Sequence, residues 1–154
     1  MFLEKELFSS IIANTPLISI DLIIKDTKGK VLLGKRVNKP ALRSWFVPGG
    51  RVFKDETLEN AFKRTCKDEI GKVFTINDAK FKGIYQHFYD DNVFNDEFST
   101  HYIVLGFELI IKEGLSLDTI QHEKYKWFTQ EELLESKDVY SYVKDYFKKE
   151  KGIK

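Results

Sequence analysis

The sequence of 154 residues has a single cysteine and almost no net charge, formally +1. One cysteine excludes a disulfide within the chain, and Cys66 is expected to be an inert buried thiol because its neighbours at helical spacing are apolar. The balance of charge argues against bulk nucleic-acid binding. An anionic ligand would therefore have to be bound by local arginines and lysines.

Long apolar runs are also missing, as is a basic start followed by an apolar segment. These absences argue against a membrane span and a secretory leader, so we expect a cytoplasmic protein without a membrane partner. Repeats and low-complexity linkers are missing as well. At 42% hydrophobic and 14% aromatic residues, the chain can bury one core, which predicts a single domain over residues 1–154.

Helical and strand patterns alternate along the chain. Strands are predicted at residues 17–25, 30–36, 45–47, 81–90 and 98–111, with a last strand ending at residue 128. Helices are predicted at residues 3–14, 57–71 and 139–149, and a capping box from Thr129 to Glu132 begins one more. Residues 26–29 form a hairpin turn, and residues 48–50 form a bend.

The most informative segment is the Gly49-Gly50 pair and the helix that follows it. At about 100° per residue, Leu58, Phe62, Cys66 and Ile70 form one apolar stripe, and Glu69 falls inside that stripe. A buried carboxylate needs a cation. A bound metal ion would meet this need, and an ion pair with Arg64 in the core, without any ligand, is the alternative.

The spacing of this segment resembles the Nudix box, whose consensus positions are matched by Gly50, Glu56, Arg64, Glu69 and Gly71. Three positions depart from the box. Thr65 replaces a glutamate, Asp68 is one carbon shorter than the expected glutamate, and Lys72 replaces an apolar residue. Fewer carboxylates should hold fewer metal ions than an ordinary Nudix site does.

Nearly the whole chain is similar to the GDP-mannose mannosyl hydrolases, a Nudix branch with a degenerate box. The segments that carry this resemblance include residues 1–3, 15–17, 33–36, 45–51, 54–59, 85–92, 100–102 and 121–122. The resemblance implies an α/β Nudix fold, a mixed β-sheet sandwiched between α-helices. It also implies a homodimer and one Mg²⁺ bound by the Gly49 carbonyl, the Glu69 carboxylate and Gln121. From the sequence alone, Gln121 would be an exposed loop amide.

Three arginines, Arg36, Arg51 and Arg64, are expected around the diphosphate of a substrate, although each taken singly could be a solvated residue at a strand end. Glu56 is expected to brace the site by pairing with Arg64. His122 is the candidate general base, since an imidazole can take a proton from water near neutral pH.

The same resemblance implies catalytic contacts for His87 and Tyr102, although an aromatic residue on a buried strand more often belongs to the core. His101 should face the other side of its strand from Tyr102 and is expected to be structural. Asp21 is either an outward strand residue or a contact to the sugar nucleotide. The remaining substrate-binding residues implied by the resemblance are Phe2, Leu3, Phe8 and Tyr89.

The function implied is magnesium-dependent hydrolysis of GDP-mannose, and of GDP-glucose as a second substrate, by attack of water on the anomeric carbon with inversion. The partner is then a small nucleotide sugar. Two alternatives stay open. One is a conventional Nudix pyrophosphohydrolase that attacks phosphorus, and the other is a nucleotide-binding regulator without catalytic activity.

Overall fold

The computed structural model describes residues 2–112 and 122–154, with the backbone alone for residues 122–124. Its strands join in one mixed sheet. They are β1 (Leu17–Lys25), β2 (Val31–Arg36), β3 (Trp45–Phe46), β4 (Gly49–Arg51), β5 (Lys80–Tyr89), β6 (Thr100–Ile110) and β7 (His122–Phe128). The helices are α1 (Lys5–Asn14), α2 (Leu58–Ile70), α3 (Gln130–Glu135) and α4 (Ser141–Asp145). In these described ranges, no helix has the length and apolar character to cross a bilayer.

The sheet is ordered β3-β2-β1-β6-β5, and its centre is the parallel pair of β1 and β6. Every other described strand pair is antiparallel. β1 pairs with β2 only at Lys25 and Val31, and β4 pairs with β1 nearer the amino terminus of that strand, at Ser19 to Asp21. The amino-terminal half of β1 therefore lies between β6 and the Gly49–Arg51 strand.

The two faces of the sheet are covered by different helices because side chains alternate along β1. Ile20, Leu22 and Ile24 pack with Phe62 of α2 in one buried cluster. Ile23 points to the other face and packs in a second cluster, with residues of α3 and α4. This mixed sheet between helices confirms the predicted fold class.

Most predicted elements are present with shifted ends. α1 begins at Lys5 and not at residue 3, and the hairpin turn is held by Asp26, whose Oδ1 accepts from the backbone of Lys28 and Lys30 at 2.9 and 2.8 Å. The capping box of Thr129 and Glu132 is formed in both directions.

Two expectations were wrong. Residues 49–51 are an extended strand rather than a bend, since they pair with β1. The helix predicted over 139–149 is reduced to α4 because the chain before it is extended: Trp45 of β3 donates to the Asp138 carbonyl at 2.8 Å and accepts from Tyr140 at 3.1 Å. Backbone pairing with the sheet edge thus overrides the local helical pattern.

Candidate active site

A cleft of about 400 Å³ lies where β1, β4 and α2 meet the end of β5. It contains both charged and aromatic side chains. Its lining includes Phe8, Asp21, Arg36, Phe46, Gly49, Gly50, Arg51, Phe53, Arg64, Thr65, Asp68, Glu69, His87, Tyr89 and Tyr102. The fold therefore brings together residues that are far apart in the sequence.

The helix α2 presents Glu69 to this cleft. The Thr57 side chain caps its start by accepting from Asn60 N at 3.2 Å, and Gly71 ends it in a left-handed conformation at φ 69°. Glu69 is only 3% exposed. The predicted inward orientation of this carboxylate is thus present, although Leu58 of the predicted apolar stripe is 42% exposed.

Glu56 and Arg64 form a bidentate pair that ties the loop before α2 to the helix. Arg64 Nε donates to one carboxylate oxygen at 2.7 Å and Nη2 to the other at 3.0 Å. Nη2 also donates to the Arg51 carbonyl at 2.8 Å. Hydrogen bonding from Arg64 lowers the pKa of Glu56. The expected brace between Glu56 and Arg64 is therefore present. Arg64 also lies 3.6 Å from the Asp68 carboxylate, so its ion pairs are with Glu56 and Asp68 and not the alternative pair with Glu69.

The glycines of β4 allow the backbone to approach its neighbours closely. A Cβ at Gly49 would lie 2.6 Å from Asp21 Oδ1 and 2.7 Å from the Ile20 carbonyl, which are clashes. A Cβ at Gly50 would lie 3.2 Å from the Thr65 hydroxyl. Only glycine at residue 49 therefore lets β4, Asp21 and the cleft occupy the same region.

The donor set at the cleft suits one hard cation. Glu69 offers one buried carboxylate, and Gly49, which also lines the cleft, has a backbone carbonyl. Both are oxygen donors of the kind Mg²⁺ prefers. In residues 2–112 and 125–154, no three His, Cys, Asp or Glu side chains form a cluster able to hold a metal ion. The residues present thus fit a single ion better than a multi-metal centre.

Arg36 and Arg51 supply positive charge to the cleft. Neither forms a salt bridge with a carboxylate of the described residues. Arg51 Cζ lies 4.8 Å from the ring of Phe8 and 5.1 Å from that of Phe53, so two aromatic faces hold its guanidinium. Arg36 is oriented by donation from Nε to the Pro40 carbonyl at 2.9 Å. Both can therefore meet an anion in the cleft, whereas the charge of Arg64 is already offset by Glu56.

Asp21 is a buried carboxyl, 6% exposed, at the bottom of the cleft. Burial raises its pKa to about 7, although the Tyr146 hydroxyl, which donates to Oδ2, opposes this shift. The interpretation of Asp21 as an outward strand residue is therefore wrong. Its carboxyl faces the cleft and the second core cluster, where an acceptor is available to a ligand.

His87 is almost fully buried, at 3% exposure, and burial lowers its pKa to about 3. Its ring stacks on that of Tyr142, with the ring centroids 4.3 Å apart and an angle of 6° between the ring planes. Nδ1 lies 3.4 Å from the Tyr89 hydroxyl and Nε2 3.5 Å from that of Tyr146. His87 thus lines the cleft as a neutral hydrogen-bonding group. Tyr102 lines it too, and burial raises the pKa of its phenol.

The remaining candidates have different outcomes. Residue His122 is the register partner of Arg36 at the start of β7, so its backbone lies beside the cleft. Gln121 lies outside the described residues. His101 stacks on Phe88 at 4.4 Å, away from the cleft lining, as expected. Their predicted roles stay predictions.

The amino-terminal candidates divide. Phe8 of α1 lines the cleft and packs on Phe94 at 6.0 Å. Phe2 and Leu3 are not part of the lining, because they precede α1, and Phe2 is 99% exposed. The cleft of one chain does not include these two residues. Their substrate contacts, like the homodimer, stay predictions.

Three residues of the site were not predicted from the sequence. Phe53 lies 3.8 Å from Arg64 Cζ, Phe46 lies 5.9 Å from Arg36 Cζ, and Tyr146 donates to Asp21. Phe53 lies three residues after Gly50 and two after Arg51, so an aromatic residue close to the glycine pair was a usable signal. Tyr146 gave none, because its contact is 125 residues away in sequence.

Comparison with known proteins identifies the family of this chain. A model of the NUDIX domain matches residues 15–148. The chain therefore belongs to the Nudix family, and its fold is that of a Nudix hydrolase. The matched range contains every candidate site residue except Phe2, Leu3 and Phe8.

Among individual relatives, the low-salt glycan biosynthesis protein Agl8 of Haloferax volcanii is 43% identical over 122 residues, which are 79% of this chain and 76% of Agl8. A solved MutT protein of Methanosarcina mazei Go1 superimposes with TM-score 0.69 at 23% identity, covering 87% of this chain and 92% of that one. The NUDIX domain of Shewanella oneidensis NrtR, solved with ADP ribose, superimposes with TM-score 0.64 at 16% identity, covering 92% of this chain and 94% of that one. At these identities, the two structures establish the fold alone.

Proposed function

We propose that this chain hydrolyses GDP-mannose to GDP and free mannose by attack of water on the anomeric carbon, with magnesium as its cofactor. GDP-glucose would be a second substrate. The observation that carries the proposal is Thr65. Thr65 lies on α2, is 1% exposed and lines the cleft. At this position the Nudix box has a metal-binding glutamate. In the segment that resembles the Nudix box, Glu69 is the one buried carboxylate. Such a site is poorly suited to the attack of water on phosphorus, which several metal ions assist, but it is sufficient for one ion that activates a leaving group.

Nudix hydrolases generally use a divalent cation. Here Glu69 and the Gly49 carbonyl would hold Mg²⁺, with Gln121 as the third ligand from the resemblance. When bound, the ion would neutralise charge on the diphosphate and make GDP a better leaving group. Arg36 and Arg51 would add to this effect, since neither is paired with a carboxylate of the described residues.

The reaction needs one base and no general acid. His122 would take a proton from water while the water oxygen bonds to the anomeric carbon. The bond from that carbon to the phosphate oxygen breaks, and its electron pair leaves with GDP. Attack from the face opposite the leaving oxygen gives inversion. The neutral His87 and the phenol of Tyr102 would orient the substrate rather than carry the proton.

The relationship to Agl8 supports a sugar-containing substrate, because that protein is described as acting in glycan biosynthesis and shares 43% of its aligned residues with this chain. The aromatic walls of the cleft, Phe8, Phe46, Tyr89 and Tyr102, support one too. Rings of this kind pack against the apolar faces of sugars and bases.

One observation favours a second function. Asp68 also lines the cleft, and its side chain is 54% exposed. Together with Glu69 it could hold more than one metal ion, as attack on phosphorus by a conventional Nudix pyrophosphohydrolase requires.

Hydrolysis in oxygen-18 water separates the two functions. With GDP-mannose and magnesium, mass spectrometry should find the label in mannose and none in GDP. Label in the phosphate of GDP would overturn the proposal and support the pyrophosphohydrolase. Turnover of ADP-ribose or nucleoside triphosphates in place of any GDP-sugar would overturn the substrate assignment, and binding without turnover would support a non-catalytic regulator.

A further inference from the structure

Tyr146 connects two residues of the cleft without being part of its lining. It follows α4 and is 2% exposed. Its hydroxyl donates to Asp21 Oδ2 and lies 3.5 Å from His87 Nε2. Asp21 and His87 both line the cleft, one from β1 and the other from β5. Tyr146 is therefore the point at which these two strands share a polar contact.

The direction of each hydrogen bond follows from the number of protons available. A phenol has one proton, and above its pKa of about 7 the ionised Asp21 carboxylate can only accept, so at pH 8 the proton of Tyr146 goes to Asp21. The phenol oxygen then offers only lone pairs to His87. His87 Nε2 must carry the hydrogen if it is to bond with Tyr146, which makes Nδ1 the acceptor in the neutral ring.

The chain of hydrogen bonds continues to Tyr89. Its hydroxyl lies 3.4 Å from Nδ1 of His87, and with Nδ1 as an acceptor the Tyr89 proton points to that nitrogen. The order of donation is Tyr89 to His87, His87 to Tyr146 and Tyr146 to Asp21. The Tyr89 and Tyr146 contacts to His87 are long and can tighten when a ligand fills the cleft.

Both ends of this hydrogen-bond chain face the cleft, and both are left with lone pairs. Tyr89 has used its proton, and Asp21 has a second carboxylate oxygen, Oδ1. Two acceptors suit hydroxyl donors, and sugar rings carry these. Phosphate groups lack donors near neutral pH and are better served by Arg36 and Arg51. The cleft is thereby divided into an acceptor end and a cationic end.

We propose that Tyr146 is a positioning residue: it fixes the Asp21 carboxylate and the Nε2-protonated tautomer of His87, so that Tyr89 and Asp21 present acceptors to the sugar hydroxyls of the substrate. The sugar as ligand rests on the proposed function. The tautomer does not depend on it.

Tyr85 provides a matched control in the same cluster. Its ring packs edge-to-face on that of Tyr146 with centroids 4.6 Å apart at 81°. Its hydroxyl is buried and has no hydrogen-bond partner among the described residues. Tyr85→Phe therefore removes the same atom as Tyr146→Phe from the adjacent ring without interrupting the hydrogen-bond chain.

The tautomer is measurable by long-range proton–nitrogen NMR on the ¹⁵N-labelled protein at pH 8, with the His87 signals assigned from His87→Gln. The wild type should show a proton on Nε2 of His87. The Tyr85→Phe variant should keep this pattern, and Tyr146→Phe should lose it in favour of Nδ1 protonation or a mixture. A proton on Nδ1 in the wild type, or an unchanged pattern in Tyr146→Phe, overturns the proposal.

Ligand titration tests the consequence. In a His122→Ala background, which keeps GDP-mannose intact during the titration, and with magnesium present, Tyr146→Phe should weaken binding of GDP-mannose about tenfold, the effect of one lost hydrogen bond, and leave the Kd of GDP within about twofold. Tyr85→Phe should leave both constants unchanged. Equal weakening of GDP and GDP-mannose would overturn the positioning role. If the wild type does not hydrolyse GDP-mannose, the proposed function fails, while the NMR result still decides the role of Tyr146.

Discussion

Asp21 and His87 should make opposite and nearly cancelling contributions to the pH dependence of stability. Burial raises the pKa of Asp21 from 3.8 to about 7 and lowers that of His87 from 6.5 to about 3. Between pH 4 and 6.5 the native state holds a proton on Asp21 that the unfolded chain has lost. Over the same range the unfolded chain holds a proton on His87 that the native state excludes.

The sign of each contribution follows from this proton balance. Where the native state binds the extra proton, as at Asp21, the free energy of unfolding falls as pH rises, by about 1.4 kcal/mol per pH unit. Where the unfolded state binds it, as at His87, the free energy of unfolding rises with pH by the same amount. From pH 4.5 to 6.5 each contribution changes by about 2 kcal/mol, in opposite directions.

The test is urea unfolding of the wild type, Asp21→Asn and His87→Gln at pH 4.5 and 6.5, with a chelator present and tryptophan fluorescence as the signal. The difference between variant and wild type cancels the contributions of all other groups. Relative to the wild type, Asp21→Asn should gain about 2 kcal/mol on going from pH 4.5 to 6.5, and His87→Gln should lose a similar amount.

The two variants control each other, since only the direction of change with pH is compared and the fixed cost of each substitution drops out. Changes of the same sign in both variants would refute the reasoning, as would the absence of any change. The first result would mean that the pKa of one of the two residues shifts on folding in the direction opposite to the one given above. The second would mean that neither burial is maintained in solution.

The other predictions concern the base, the brace and the glycine strand. His122→Ala should lower kcat by roughly 100- to 10,000-fold in steady-state kinetics, and an effect on KM alone would assign the residue to binding. Glu56→Gln should lower the free energy of unfolding in urea by about 2 kcal/mol, because Arg64 loses its bidentate partner. Asp68→Asn should lower it by less than about 1 kcal/mol, because the Asp68 side chain is 54% exposed. Equal costs for the two variants would contradict the brace. Gly49→Ala should cost about 1–3 kcal/mol in thermal unfolding, since its Cβ would meet oxygens at 2.6 and 2.7 Å, and Gly50→Ala, with its nearest atom at 3.2 Å, should cost less.

The part of the site that lies on α2 could be predicted from the sequence because it is local. Glu69 falls within an apolar stripe, and helical periodicity alone turns it inward. Thr57 and Gly71 are residue types that favour helix ends, and both are caps in the structure. Glu56 is close enough in sequence to Arg64 for their pairing to be expected. In each case the energetics are settled within about fifteen residues.

The predictions that failed depend on pairing between distant segments. Gly49 and Gly50 read as a bend because glycine pairs usually form turns, but an open position beside β1 makes the extended conformation better hydrogen-bonded. The helix was predicted to begin at residue 139, but the backbone groups of Asp138 and Tyr140 bond to Trp45 across the sheet edge. Neither partner can be identified from the local pattern.

The same limitation explains why Asp21 stayed ambiguous in the sequence. A charged residue inside an apolar strand predicts either a solvent-facing position or a functional one, and alternation alone cannot decide, because both faces of β1 are buried. What decides is that Tyr146 supplies a donor on one side and the cleft leaves room on the other. A buried carboxyl with one fixed donor and one open oxygen is costly unless a ligand uses the second, so the stability lost at Asp21 is itself an indication of binding.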